Sequence, residues 1–400
     1  MFSSQRAPRP YPNLLLAVCD GLDEVFNQGY YADRVVSHLL KRDKRWGARD
    51  RGFIAETLYD SVRWWRLLVH IGGSGKPEAI LASYWAWKYN ETLDVEGYPR
   101  IEPLDVQVAL KAAGDNPALL ASMPDWIDEI AAGELGEEWP TMRDSLNEQA
   151  SVYLRTNTLK TDRNTLLDEL LKEGFDVEAD PRGDLAIKVL KRRNLWKTNA
   201  FQSGHFEVQD IASQQVAPAL DIQPGMTVVD ACAGAGGKTL QIAALMKNKG
   251  RLIAMDTEER KLVELKKRAK RAGISNLDIR PITSTKVIKR LVGKADRILL
   301  DVPCSGLGVL RRNPDAKWKL KPQFLEEVKT WQADILSSYS RILKPDGKLV
   351  YATCSILPSE SEEQVAKFIE ANDGWQVDQQ LRLSPVDDYD GFYHALLTKA

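Results

Sequence analysis

No run of about 18 apolar residues occurs anywhere in this chain, so it offers no membrane-spanning helix. Its opening residues, MFSSQRAPRPYPN, contain no apolar core of the kind that marks a secretory signal. Cysteine and histidine are sparse: four cysteines (Cys19, Cys232, Cys304, Cys354) and four histidines are scattered over 400 residues, with no CxxC pair. Neither a disulfide framework nor a zinc site is expected from that pattern, and no other metal is called for. A monomer in a reducing cytoplasm is the corresponding expectation. What the chain does contain is ordinary for a globular protein, with 44% hydrophobic and 28% charged residues. Its length allows two or three domains. The net charge of −1 hides an asymmetry: residues 1–150 hold 16 Lys and Arg against 23 Asp and Glu, and the remainder holds 39 against 33. A basic C-terminal part beside an acidic N-terminal one suits a polyanionic ligand on the former, and equally suits basic helix faces that are merely solvated.

Residues 11–150 read as helical. In DRGFIAETLYDSVRWWRLLV, Phe53, Leu58, Val62, Trp65 and Leu68 recur close to the helical period, which predicts one helix over 50–69. Pro99 to Pro103, AAGDNP and Ser122-Met123-Pro124-Asp125 read as connections. An all-helical domain over 1–148 is the simplest account. From 149 to 203 the texture changes to a small α+β module: SVYLRTNTL has strand character, TDRNTLLDELLKEGF reads as a helix closed by Gly174, and short strands are predicted near 175–177 and 185–189. Its cluster Lys188, Lys191, Arg192, Arg193 and Lys197 beside Trp196 suits single-stranded RNA, held by phosphate contact and stacking, as well as it suits a loop with a half-buried Trp.

From 204 to 400 strands alternate with helices. MTVVD, RLIAMD, LDIRPI, RILLD and KLVYATC are separated by KTLQIAALM, EERKLVELKKRAKRA and PQFLEEVKTWQADILSSYSRIL. That order predicts a mainly parallel α/β sheet covered on both faces, with ligands at the carboxyl ends of its strands. After the first of these strands comes DACAGAGGKT. A dinucleotide fingerprint fails here at its third glycine. A phosphate-binding P-loop, GxxxxGK[ST], fails only at its first, where Cys232 stands, and Lys238-Thr239 would be its active end. The third reading is a pocket for S-adenosylmethionine, with a glycine loop after strand one and an acid, Asp256, ending strand two to bind ribose hydroxyls.

Two cysteines end neighbouring strands in the same predicted crevice, in DVPC over 301–304 and YATC over 351–354. A single strand-end cysteine is most often a buried structural one. A pair invites a chemical reason. Carbon 5 of cytosine becomes nucleophilic when a thiolate adds at carbon 6, and a base must then remove the carbon-5 proton so that the thiolate can leave. A free thiol, with pKa about 8.5, needs help to ionise, and a helix signalled by Ser359-x-x-Glu362 just after Cys354 would supply it. Asp301 is placed to share a proton with ring N3. Chemistry alone leaves open which thiol attacks.

DACAGAGGKT, DVPCSGLGVLRRNPDAKW and YATCSILPSESEEQV resemble motifs of the Sun/Nop family of RNA 5-methylcytosine methyltransferases. HFEVQDIASQQVAP resembles the family's upstream motif, DGFYHALLTK its closing strand and SVYLRTNTLK the start of its small RNA-binding subdomain. DRGFIAETLYDSVRWW is similar to the NusB-like RNA-binding extension of bacterial ribosomal-RNA members. The resemblance implies a Rossmann-like S-adenosylmethionine methyltransferase sheet preceded by the small α+β subdomain and the helical domain. It implies Cys354 as nucleophile, Cys304 as the thiol that assists release, and Asp301 as their acidic partner. It places the donor on Ala233, Gly234, Ala235, Gly236, Gly237, Lys238, Asp256, Arg260 and Asp301. RNA contacts are expected from Lys160, Arg192, Arg193, Arg311 and Arg312. Where the family carries an acid after strand three this chain reads PITST, so Thr283 or Ser284 would take its place; the glycine loop also has Ala-Gly-Ala where many members have Ala-Ala-Pro.

The expectation is therefore cytosine-5 methylation of RNA, ribosomal RNA first and tRNA as the alternative. A P-loop NTPase explains GGKT and leaves both cysteines idle. A non-catalytic RNA binder in ribosome assembly has no need of the cysteines or of Asp301.

Overall fold

The computed structural model describes residues 7–399, so the first six residues of the segment read above as lacking a signal lie outside it. Two compact units emerge. One comprises the chain up to Glu148 together with Leu310–Lys321, and the other comprises Gln149–Val309 and Pro322 onward. Among the described residues no helix is long and apolar enough to cross a membrane.

Among its described residues the regular elements of the first unit are all helices. Its core is built by Leu15, Leu22, Leu39, Ile54, Leu58, Val62, Leu68 and Ile80, all fully buried. The single helix predicted over 50–69 is two, Ala48–Arg63 and Trp65–Gly72, broken at Trp64 where φ is −101° and ψ is 15°. Adjacent indoles explain the break. Trp65 stacks on Phe26 with ring centroids 3.5 Å apart, while Trp64 meets Trp87 at 4.8 Å, and a straight helix would swing one of them off its partner.

The segment Leu310–Lys321 belongs to this unit, not to the sheet that the sequence boundaries gave it to. Asp315, almost fully buried, accepts from the Ala32 amide at 3.0 Å and from Lys319, which also donates to the Tyr30 carbonyl. The Trp318 indole donates to the Val62 carbonyl at 2.7 Å, and Lys317 donates to Asn147 at 3.1 Å.

In the second unit a four-stranded antiparallel sheet comes first, made of β1 (Val152–Thr156), β2 (Val177–Ala179), β3 (Ala186–Val189) and β4 (Phe206–Val208), in the order β2-β3-β1-β4. The helix Arg163–Lys172 packs on it, capped by Asp162. Because β4 pairs with β1, this small sheet extends past the boundary expected at 203.

The main sheet has seven strands: β5 (Thr227–Asp230), β6 (Arg251–Asp256), β7 (Leu277–Pro281), β8 (Ala295–Asp301), β9 (Leu343–Thr353), β10 (Trp375–Leu383) and β11 (Phe392–Lys399). Their order is β10-β11-β9-β8-β5-β6-β7, parallel except for β11. Alternate residues serve opposite faces. Val229, Ile253, Leu300 and Tyr351 fill one core, and Val228, Leu252, Leu299 and Val350 the other. This is a Rossmann-like arrangement. The chain steps outward from β5 to β6 and β7, then returns to add β8 on the other side. A crevice opens at such a reversal, outside the carboxyl ends of the strands, where Asp230, Asp256, Asp301 and the two cysteines fall.

Candidate active site

The glycine loop leaves β5 at Asp230 and enters the helix Gly237–Leu245. Gly236 has φ of 90°, and a Cβ there would lie 2.7 Å from Leu265 Cγ, so both conformation and space demand glycine. The loop is pinned from three sides. The Ala233 amide donates to the Met255 carbonyl at 2.9 Å, and the Gly234 amide to Asp256 at 2.8 Å. Asp256 also accepts from the Glu258 amide at 2.7 Å. From the small sheet and the helix Glu259–Ala272, Arg155 and Arg268 donate to the carbonyls of Gly237 and Ala235 at 2.7 and 2.9 Å. With these carbonyls drawn outward, the first-turn amides of the helix, which have no intrahelical acceptor, are left to face a ligand. Arg155 is buried, which brings its guanidinium down to about 9. Neither arginine stands out in the sequence, because both act through backbone.

The near-P-loop reading does not survive this geometry. Thr239 turns its hydroxyl inward to the buried Asp230, at 2.6 Å, and Lys238 is ion-paired with Asp301 at 2.6 Å. A P-loop needs both side chains directed at phosphate and its magnesium ion. Burial pushes the Asp230 carboxyl up to about 7. Cys232, the residue in place of the P-loop's first glycine, is a half-buried thiol whose pKa is pushed up by desolvation and then by Asp230, Asp301 and Asp256, which disfavours its thiolate.

Cys304 and Cys354 come together across the adjacent ends of β8 and β9, with their sulfurs 3.3 Å apart. The Cys304 thiol is held well above its ordinary range, first by its hydrogen bond with Cys354, then by burial and by the charges of Cys354 and Glu360. Asp301 lies three residues before Cys304 with its side chain about a quarter exposed. The helix expected to start beside Cys354 starts later. It spans Glu362–Glu370 with Ser361 in the cap position, and the short helical turn Pro358–Glu360 stands between it and Cys354 along the chain. Glu362 instead pairs with Arg382, and Glu360 turns into the protein interior.

The remaining expected residues are dispersed. Arg260 is exposed on the first turn of Glu259–Ala272, and Thr283 and Ser284 are exposed just after β7. Lys160 donates to the carbonyls of Ser203 and Arg271 at 2.7 and 2.8 Å. Arg192 donates to the Ala150 carbonyl and Arg193 to that of Gly174. Arg311 and Arg312 lie in the segment that packs with the helical unit. Arg311 is only 5% exposed, with its carbonyl accepting from Arg63, so its expected role as a surface RNA contact is corrected by burial. The sequence reading missed Glu360, Gln332, Arg155 and Arg268; only the short spacing of Glu360 from Cys354 was available as a signal.

Residues 217–397 match the family described as 16S rRNA methyltransferase RsmB/F, and residues 123–195 match the ferredoxin-like domain described for RsmF/B-like methyltransferases. The chain is 38% identical to a probable ribosomal RNA small subunit methyltransferase B of Bacillus subtilis, over 57% of its length and 51% of the relative. It is 32% identical to the protein of the same description from Synechocystis, over 69% of its length and 63% of the relative. It thus spans between half and two thirds of the length of these curated relatives. Among solved structures, a methyltransferase homologue from Pyrococcus horikoshii superposes with a TM-score of 0.63 at 26% identity, covering 71% of this chain and 98% of that one.

Proposed function

The chain belongs to the RsmB/F methyltransferase family, and from that premise we propose that it methylates carbon 5 of a cytosine in RNA, ribosomal RNA first, through a covalent cysteine–cytosine adduct. The observation that carries the proposal is the contact of two sulfurs, 3.3 Å apart, at the carboxyl ends of adjacent central strands. The crevice there also holds Asp301 and the glycine loop. S-adenosylmethionine, when bound, supplies an electrophilic methyl group. The residues present fit it: a Cβ added at Gly234 or Gly237 would meet nothing within 4 Å, so the loop is open on that side. Asp256 keeps lone pairs for ribose hydroxyls after taking its two backbone amides.

In this reading the Cys354 thiolate forms a bond to carbon 6, and the electron pair of the 5,6 double bond moves to carbon 5, which takes the methyl group. Asp301, oriented by Lys238, faces ring N3. Cys304, or a water it holds, removes the carbon-5 proton; the freed pair restores the double bond and expels the Cys354 sulfur. The exposed Trp196, flanked by Lys191 and Lys197, supports base stacking on the small sheet's side.

Labelled-methyl transfer from S-adenosylmethionine to unmodified ribosomal RNA and tRNA, followed by mapping of the modified base, tests the proposal. Cys354→Ala is expected to lose methylation at least a thousandfold while still binding the donor. Cys304→Ala is expected to accumulate a protein–RNA band resistant to denaturation. Methylation that survives Cys354→Ala would overturn the assignment.

A further inference from the structure

The serine that follows each cysteine carries a second connection between the two strand ends. We infer that Glu360 is the positioning residue that holds the cysteine pair in register, by binding Ser305 and Ser355 on one carboxylate. Glu360 is fully buried. One of its oxygens, Oε2, accepts from both serine hydroxyls. The other, Oε1, accepts from the Ser305 amide at 2.7 Å and from Gln332 Nε2 at 3.1 Å. Gln332 also donates to the Pro303 carbonyl at 3.0 Å, so the residues on either side of Cys304 are held by the same pair of side chains. On the other strand, Ser355 Oγ accepts from the Leu357 amide at 3.1 Å, and Thr353 pairs with Ser361 at 3.0 Å. The Glu360 carbonyl accepts from Tyr351 at 2.7 Å, which fixes the base of its side chain to β9.

Four donors converge on this carboxylate from two loops and the helix Pro322–Tyr339, and none comes from a cation. An amide in its place would present an N–H₂ to at least one donor, so glutamine cannot reproduce the cluster. A buried carboxylate is stable where several hydrogen bonds replace its water. Its negative charge also favours the protonated form of Cys304 beside it. Glu360 thus fixes the sulfur–sulfur distance by tying the two strand ends together. It acts through the serines and touches neither RNA nor donor.

This inference rests on the methyl-transfer reading for its kinetic consequence only; its geometric consequence is independent of it. Diamide, a thiol oxidant, converts two thiols in contact into a disulfide while being reduced to its hydrazine. The rate of the Cys304–Cys354 disulfide in the full chain, followed by mass spectrometry, therefore reports sulfur register with no RNA present. Glu360→Gln is expected to slow that rate at least tenfold and to lower kcat at least tenfold, with KM for RNA and donor affinity within about twofold of wild type. Ser305→Ala and Ser355→Ala are expected to give intermediate losses in both. Should Glu360→Gln fail to bind donor or to melt cooperatively, the two serine variants, each removing one hydroxyl, decide the matter. Wild-type disulfide and methylation rates in Glu360→Gln, or in both serine variants, would overturn the inference. A wild-type chain inactive on every RNA, with a Glu360-dependent disulfide rate, would instead remove the methyl-transfer reading and leave the positioning role standing.

Discussion

At Asp230 a carboxyl sits where water cannot reach it, with Thr239 on Oδ2 and no partner in the structure for Oδ1. Desolvation raises its pKa from 3.8 to about 7, outweighing the Thr239 bond and the nearby Lys238. The sign of the pH effect follows. Between those two values the folded chain holds a proton that the unfolded chain has lost, so stability is complete below about pH 4 and falls as pH rises toward 7. At about 1.4 kcal/mol per pH unit, the charged form costs at most about 4 kcal/mol at pH 8. Asp230→Asn keeps an acceptor for Thr239 and removes the charge. Its melting temperature is expected to exceed wild type at pH 8 by roughly 4–8 °C, on the basis of about 2 kcal/mol in a domain of this size, and to converge with it below about pH 4. A difference that does not change with pH would mean that the charge of Asp230 is met by something other than Thr239.

The glycine loop is an element whose spacing was readable and whose strain was not. The pattern AGAGGKT showed a loop entering a helix, but only the fold shows that Gly236 faces Leu265 while Gly237 faces open space. Gly236→Ala must shift Leu265 and adopt a left-handed conformation, together costing about 2–4 kcal/mol. It is expected to lower the melting temperature and to weaken donor binding at least tenfold by calorimetry, whereas Gly237→Ala, whose Cβ would stand on the side left open for the donor, is expected to weaken binding with the melting temperature unchanged; equal losses of melting temperature would mean that packing behind the loop is not what shapes it. Elsewhere, legibility followed burial. Strands β5, β6, β8 and β9 are buried on both faces and read as apolar runs. β10, a largely exposed edge strand, sets Trp375, Val377, Leu381 and Leu383 on alternate positions but breaks the alternation at Gln379, beside a register shift, and was not foreseen. Glu360 was hidden for a related reason. A glutamate two residues before a helical run reads as surface, and the serines that bury it lie 55 and 5 residues away.

At the scale of the molecule, the boundaries inferred along the chain hold only for a chain that does not double back. Residues 310–321 leave the α/β unit directly after the Cys304 loop and pack among the helices of the first unit. Nothing in RRNPDAKWK announces this, since a basic stretch with one Trp reads as a solvated or RNA-binding loop. In the fold Pro314, Asp315 and Lys317 are buried, and Trp318 packs on the helical core. A fragment starting at residue 149 would expose that set together with the apolar side of Trp318, and would leave Asp315 without its Ala32 amide. It is expected to be cleaved by trace protease within 310–321 at least ten times faster than the full chain, and to aggregate at micromolar concentration. The complementary change is Trp318→Ala in the full chain. Loss of a half-buried indole and its bond to the Val62 carbonyl should cost about 2 kcal/mol. Hydrogen exchange should then rise in the helix Ala48–Arg63 and stay unchanged in β5, β6 and β8. Faster exchange in those strands instead would show that the segment stabilises the sheet and not the helices it packs against.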